Sequence, residues 1–501
     1  MSSGIFFRFR AYLIVSVLLL PMFWIGIRDT HDWGDDFAAF LQQADNLTHH
    51  RPLNASKYVA FDHYSACYAP PSVPPGFALL LSPVIKVFGM NFKALNYYMS
   101  FWLYLFALIS FAFLIRYISV LSATCLVLIF FLNPAMIDFK SNVISDLPFC
   151  FFSTWAILIH IEISKRGRAS LQLLYGCAAA MAISIRGIGA CLIAAYMIDL
   201  AYHLISGWLR RDSLQEIVSG VSMRCIWVVS FVFVYVLIIL LSGYSSGSTF
   251  AFYQNAYQGI HMWEVMMGNL NIYIQDFFQM FDMNVGIYGF GLTITKSAML
   301  FCLIIGFFIA VVDGYGLILA YFLVYSAAIL LFPFSTQGFR YFFPVLPIVM
   351  LFIAFGARRI VPADTSVWRP LWVISVTLLI FLQYKTDLLS MHTHQSEPIY
   401  PTPVSAECRA GFAHIKNMTS DSDLILSLKP RACALWADRR FCVIPDGNGP
   451  AEQIKRLSIS KPDLILVIKQ RDMNKLEGLA AYEKDSLIYE DGMFKLYKRR
   501  L

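Results

Sequence analysis

The sequence predicts an all-α polytopic membrane domain of about eleven transmembrane helices, followed by a small C-terminal α/β domain outside the membrane. Three observations predict it. Of 501 residues, 58% are hydrophobic and 14% charged, where a soluble chain would carry roughly 25% charged residues, and mean hydropathy is +0.61. Apolar runs of the length a hydrocarbon core demands, about 20 residues, recur from residue 11 to residue 389. From about residue 400 charged residues become frequent and the apolar runs shrink to strand length, so the two parts are placed at 1–390 and 391–501.

The expected spans are 11–27, 93–115, 119–135, 147–163, 170–186, 188–205, 223–242, 297–312, 315–333, 342–357 and 370–386. The first is read as a retained anchor, because Pro21, Phe23 and Trp24 follow its apolar run where a cleavage site would need small residues. The stretch 76–89 is apolar but short, which suits a helix lying at the membrane interface. Arg8/Arg10, Arg116, Lys165/Arg166/Arg168, Arg210/Arg211 and Arg358/Arg359 fall at alternate connections, as one cytoplasmic face requires. The N-terminus is then cytoplasmic, and loops of about 28–92, 136–146, 243–296 and 334–341, with the tail, face the other side. The net charge of +7 reflects these anchors and calls for no nucleic-acid partner. Compact loops and the lack of a eukaryotic retrieval signal at Lys498-Arg499-Arg500-Leu501 favour a bacterial inner (plasma) membrane with a periplasmic tail.

In the tail, Leu424–Leu428 and Leu464–Ile468 read as buried strands, and Phe494–Lys498 alternates like an edge strand. No catalytic constellation is visible there. None of the ten cysteines pairs at CxxC spacing; Cys433 and Cys442 flank a short turn on the oxidising side, where a disulfide is one reading. Asn46, Asn54 and Asn417 head sequons of a kind that arises readily by chance.

The first exoplasmic loop carries most of the chemistry. Trp33-Gly34-Asp35-Asp36-Phe37 sets two adjacent carboxylates just after the first span, at the start of an amphipathic helix expected to lie on the membrane. One aspartate can serve merely as its N-cap. Two neighbouring carboxylates exceed what a cap needs, and their repulsion calls for an offsetting cation or guanidinium. Tyr68 through Gly76, with four prolines, is a rigid extended linker whose simplest role is a spacer. His31, His49, His50 and His63 in this loop read as solvated. Between 243 and 296, Tyr253, Gln254, Asn255, Tyr257, His261 and Trp263 suit either a sugar pocket or an interfacial belt, and Asp276 and Asp282 are ambiguous in the same way.

The order of these pieces resembles the GT-C superfamily of integral-membrane glycosyltransferases, particularly its protein mannosyltransferase and aminoarabinose transferase branch. Asp35-Asp36 and Tyr68 through Gly76 match that branch's first loop. Asn133-Pro134 with Ser145-Asp146-Leu147-Pro148-Phe149 resembles its second, Arg186-Gly187-Ile188-Gly189 its Arg-x-x-Gly segment, and Arg340-Tyr341-Phe342-Phe343-Pro344 its Arg-Tyr-x-x-Pro motif. The likeness runs through nearly the whole chain.

The resemblance implies an inverting enzyme that moves a sugar from a polyprenyl-phosphate donor, a membrane lipid, to an acceptor hydroxyl on a glycolipid such as lipid A, a polysaccharide or a protein. It makes Asp35 the expected base and Asp36 a ligand for the acceptor or a cation, with Asp146 as a second orienting carboxylate. Arg340, Arg186 and, less directly, Lys140 and Lys93 are candidates for the donor phosphate, against the alternative that basic residues at helix ends snorkel toward headgroups. Tyr68 and Tyr341 would line the pocket. Superfamily members differ in metal use, so Mg²⁺ or Mn²⁺ on Asp36 and Asp146 stays open. The rival readings are a multi-pass transporter or lipid-linked sugar flippase, which would carry inverted repeats and midplane polar groups, and a catalytically dead scaffold.

Overall fold

The computed structural model describes residues 2–66, 69, 73–210, 224–244, 261–279, 289–333, 338–360, 368–393, 401–444, 457–469 and 475–499. Every expected span overlaps a helix, although the first helix ends at Leu18, ahead of Pro21 and short of the expected residue 27. In chain order these are α1 (Ser2–Leu18), α2 (Asp36–Thr48), α3 (His63–Ala66), α4 (Gly76–Phe88), α5 (Phe92–Leu114), α6 (Val120–Phe131), α7 (Pro134–Phe139), α8 (Asp146–Arg166), α9 (Ala169–Ile185), α10 (Ala190–Leu209), α11 (Trp227–Ser242), α12 (Met262–Gln279), α13 (Gly289–Val312), α14 (Gly316–Leu330), α15 (Leu346–Ile360) and α16 (Trp368–Thr393). The tail follows with α17 (Ala406–Met418), β1 (Leu424–Leu426), α18 (Pro430–Ala437), β2 (Arg440–Cys442), β3 (Leu464–Ile468), α19 (Lys475–Tyr482), β4 (Ser486–Glu490) and β5 (Phe494–Lys498).

Among the described residues, four helices are long and apolar enough to cross a membrane alone: Phe92–Leu114, Asp146–Arg166, Gly187–Leu209 and Phe339–Ile360. Val373–Leu382 with Tyr384–Thr393, bent by 44°, makes a fifth, and shorter apolar helices pack among them. The expected span 119–135 is cut short because Asn133 turns out to cap a new helix: its side chain accepts from the Ala135 N–H, and Pro134 has no amide to continue the old ladder. Close approach of helix backbones holds the bundle together. Gly306 of α13 lies against the Phe352 backbone and Gly356 of α15 against that of Cys302, so any side chain at either glycine would force the pair apart.

The tail is an open five-stranded sheet in the order β2-β1-β3-β5-β4, parallel across β2, β1 and β3 and antiparallel beyond. β5 is therefore an inner strand and not the edge that its alternation predicts. Phe494 and Leu496 face the core, while Lys495 meets Glu477 and Glu490 on the other side, so a strand with one wet face reads like an edge. Cys433 and Cys442 are free thiols. Cys433 lies in the apolar layer on one face of the sheet, with Phe412 and Phe494, and Cys442 in the layer on the other, with Leu457 and Leu476, which rules out the bridge.

The first loop and the tail form one body. The Phe441 N–H of β2 donates to the Lys57 carbonyl and Val59 N–H donates back to Phe441, so residues 57–59 extend the sheet past its edge. Trp33 packs on Phe412 and Phe494, and its indole N–H donates to the Pro401 carbonyl at 2.9 Å. Trp436 of α18 meets Phe92 at the start of α5.

Candidate active site

Two anchors fix the turn before α2. Arg28 pairs with Asp138 at 2.6 Å. His31, expected to be solvated, is buried against Phe37; its Nε2 accepts from the Val143 N–H at 2.9 Å and its Nδ1 lies 2.8 Å from the Asp32 carbonyl. That pairing requires the neutral ring with the proton on Nδ1, and burial pushes its pKa down to about 4. α2 is also buried along most of its length, against α4, and does not present one free face as an interfacial helix would. Asn46, in its third turn, is buried and donates to the Leu53 and Ala55 carbonyls.

Asp35 occupies the N-cap position of α2 but makes no capping hydrogen bond to its own helix. Its carboxylate reaches the tail: Oδ2 accepts from Arg431 Nε at 2.8 Å and Oδ1 from the Ala432 N–H at 2.9 Å. Asp35 thus satisfies a free amide at the N-terminus of α18, where Pro430 opens the helix. Asp36 accepts from Arg431 Nη2 at 2.7 Å through Oδ1, and from both Nη atoms of Arg340 at 3.3 and 3.4 Å through Oδ2. Desolvation would lift the Asp36 pKa, but Arg431 and Arg340 outweigh it and hold this carboxyl well below the usual range. The two neighbours differ in access: the side chain of Asp35 is 10% exposed and that of Asp36 46%.

Arg340 stands in a 3-10 turn that opens after Gly338, whose φ of +70° suits glycine. Arg186 stands where α9 ends, and Gly76 at the head of α4 rests on that end so closely that a Cβ would lie 2.5 Å from the Ser184 carbonyl carbon. Arg186 pairs with Asp146 Oδ1 at 2.6 Å, Asp146 being in the first turn of α8 with its side chain 4% exposed. The Tyr341 ring lies between the two arginines, 5.2 Å from the Arg186 guanidinium carbon and 5.7 Å from that of Arg340. The arrangement is a chain of alternating charge, Asp35, Arg431, Asp36 and Arg340, with Asp146 and its partner Arg186 beside Arg340.

Asp35, Asp36, Asp146, Arg186, Arg340 and Tyr341 are therefore brought together. Lys140 is placed differently: it is buried, donates to Ser100 Oγ at 3.1 Å and Gly26 O at 3.5 Å, and burial pushes its pKa down to about 7. Lys93 is exposed at the start of α5. Tyr68, Tyr253, Gln254, Asn255, Tyr257 and Asp282 lie outside the described residues, as do the side chains of His63 and Asp276, while His261 and Trp263 are exposed at the head of α12.

Arg431 corrects the reading of the tail as empty of site residues. The available signal was its place after Lys429-Pro430, at the carboxyl end of a parallel strand, where open α/β sheets gather their binding residues.

The donor set suits an anion better than a dication. Both Asp36 oxygens and Asp146 Oδ1 are held by arginines, which leaves Asp146 Oδ2, of the four carboxylate oxygens of these two residues, without a hydrogen bond among the described residues. A hard ion such as Mg²⁺ needs about six oxygens and is repelled by guanidinium groups. Among the described residues no group of three His, Cys, Asp or Glu side chains lies together to hold a metal.

No protein-family model and no curated protein matches the chain. Solved structures do match. The archaeal oligosaccharyltransferase AglB of Archaeoglobus fulgidus, in complex with an inhibitory peptide and a dolichol-phosphate, is similar at a TM-score of 0.57 and 11% identity, over 96% of this chain and 71% of its own. ArnT from Cupriavidus metallidurans is similar at 0.53 in the apo state, 11% identical over 99% of this chain and 98% of its own. Bound to undecaprenyl phosphate it is similar at 0.51 and 11% identity, over 97% of each chain. This chain is a multi-pass membrane protein whose fold is similar to that of AglB and ArnT.

Proposed function

We propose that the protein is an inverting glycosyltransferase that takes a sugar from a polyprenyl-phosphate donor and passes it to an acceptor hydroxyl at the exoplasmic edge of a bacterial inner membrane. The observation that carries the reading is the convergence of Arg340 and Arg431, from distant parts of the chain, on an adjacent aspartate pair, with Arg186, held by Asp146, beside them at the Tyr341 ring. A lipid-phosphate donor needs its anion recognised at the membrane edge, and planar guanidinium groups do this well.

In the reaction the acceptor oxygen attacks the anomeric carbon from the face opposite the phosphate. The carbon–oxygen bond to phosphate breaks, the phosphate keeps the electron pair, and a carboxylate takes the hydroxyl proton. Arginines already in place stabilise the charge that develops on the phosphate. Between the two aspartates, Asp36 is better suited to the proton: it is the half-exposed one, whereas Asp35 is enclosed by Arg431 and the Ala432 amide. Asp146 keeps Arg186 extended toward Tyr341.

The test is transfer from a panel of radiolabelled polyprenyl-phosphate sugars in membranes carrying wild type, Asp36→Asn or Asp35→Asn, with and without a chelator. Transfer by wild type that Asp36→Asn abolishes supports the reading. No transfer from any donor by folded wild type, with the lipid-linked sugar instead moved across the bilayer, would replace it with a flippase.

A further inference from the structure

Among the described residues of the site the charges balance. Three guanidinium groups, of Arg186, Arg340 and Arg431, meet three carboxylates, of Asp35, Asp36 and Asp146. A phosphodiester arriving among them would add an uncompensated negative charge unless one carboxylate gave way. Asp146 and Asp35 are enclosed, with side chains 4% and 10% exposed, and each is fixed by a close pairing. Asp36, at 46%, is the one of the three with ready access to water. Its partners are arranged as they would be around a phosphate: one guanidinium on each oxygen, Arg431 at 2.7 Å and Arg340 at 3.3 Å.

We propose that Arg431 of the C-terminal domain is a donor-phosphate ligand, paired with Arg340, and that Asp36 occupies the phosphate's place until the donor displaces it. This rests on the glycosyltransferase reading and assigns a binding role to a tail residue. The exchange has a consequence for the chemistry. While clamped by two arginines, Asp36 is a poor base; released from them, its basicity returns toward that of an ordinary carboxylate, about pKa 3.9. The base is thus freed by the arrival of the donor. Asp35 stays on Arg431 Nε and the Ala432 amide throughout, so Nη2, which holds Asp36, is the atom that passes to the phosphate.

The experiment is equilibrium binding of tritiated undecaprenyl phosphate to the full-length protein in detergent, with undecaprenol as the control for lipid partition. Asp36→Asn removes the competing anion and is expected to tighten phosphate binding by about tenfold, in the lower part of the usual range for coupled sites. Arg431→Gln is expected to weaken it by about tenfold or more. In the double variant, Asp36→Asn should tighten binding by clearly less than it does alone, because part of its effect runs through Arg431. Undecaprenol should bind all variants alike. If wild type binds undecaprenyl phosphate over undecaprenol but Asp36→Asn leaves the Kd within twofold, the displacement is overturned and the glycosyltransferase reading stands. If Arg431→Gln leaves it within twofold while the protein elutes as wild type, Arg431 is not a phosphate ligand. If folded wild type does not prefer undecaprenyl phosphate to undecaprenol, both readings fall together.

Discussion

Asp35→Asn should loosen the tail before it touches the chemistry. In the structure the Asp35 carboxylate accepts a charge-assisted bond from Arg431 Nε at 2.8 Å and the Ala432 amide at 2.9 Å, with its side chain 10% exposed. Asparagine keeps one acceptor, but turns an amide NH₂ toward a guanidinium N–H and loses the charge at the N-terminus of α18. Losing a hydrogen bond to a charged group, about 1.5–3 kcal/mol, and a helix-terminus charge, about 0.3–1 kcal/mol, together predicts roughly 2–4 kcal/mol of easier opening. Cys433, two residues beyond Arg431, reports that opening. Its free thiol is fully buried, and burial pushes its pKa up, so a thiol reagent reaches it only when α18 lifts. The labelling rate should then rise roughly 30- to 700-fold, since about 1.4 kcal/mol is a factor of ten. The assay is timed labelling of the detergent-solubilised protein with mass-spectrometric readout of Cys433, normalised to Cys125 in α6. Asp36→Asn, whose carboxylate is half-exposed, should raise labelling less than fivefold. Equal labelling in the two variants, with equally complete loss of transfer, would refute the division of roles between the aspartates.

Asp36→Asn should cut transfer by about 10²–10⁴-fold, the range for removing a general base, with the protein still folded; retention of a tenth of wild-type turnover would move the base elsewhere. Lys140→Met should leave transfer within twofold, because the ammonium is spent on Ser100 and Gly26. Its pKa of about 7 in the fold lies below the unfolded value of about 10.4. The unfolded chain therefore binds more protons between those values, and wild type should gain thermal stability as pH rises through that window while Lys140→Met should lack that slope. His31 has the same sign in a lower window. Its pKa near 4 in the fold, against about 6.5 unfolded, means that its contribution is complete above pH 6.5 and is lost as pH falls toward 4. That amounts to about 3 kcal/mol, visible as a fall in unfolding temperature that His31→Gln should flatten.

The helices were legible because their signal is one-dimensional: an apolar run of membrane length needs no partner to be recognised. Their ends were less so. The break at Asn133-Pro134 carries both a capping residue and a proline, yet a hydropathy window reads across it. In the tail, the strands β1 and β3 were visible as short apolar runs, but the order of a sheet is a matter of partners. The alternation of Phe494–Lys498 was right about its two faces and silent about what lay beside it. At the site, Asp35 and Asp36 could be picked out as an acidic pair just after the first apolar stretch, and Asp146, Arg186 and Arg340 through the resemblance of their motifs to those of the GT-C superfamily. Arg431 could not, since in a charged tail one more arginine is ordinary, and only the fold brings it to Asp35 across 396 positions of sequence. His31 was misjudged for the converse reason: a polar loop hides the one ring that packs inward on Phe37.

Two carboxylates on consecutive residues cannot be moved independently, and this is what makes their unequal surroundings informative. Asp35 is tied to the head of α18 and Asp36 begins α2, so the backbone between them transmits the seating of the tail directly to the second carboxylate. Arg431 spans both, with Nε on one and Nη2 on the other. A rigid guanidinium fork keeps the two carboxylates at a fixed spacing and cancels the repulsion that would otherwise raise the pKa of one of them. The pairing of residues 57–59 with β2 and the packing of Trp33 under α17 hold the same junction from either side. A domain that only hung from the last span would need none of these contacts at the mouth of the arginine cluster. Their concentration there makes the tail part of the wall of the arginine cluster.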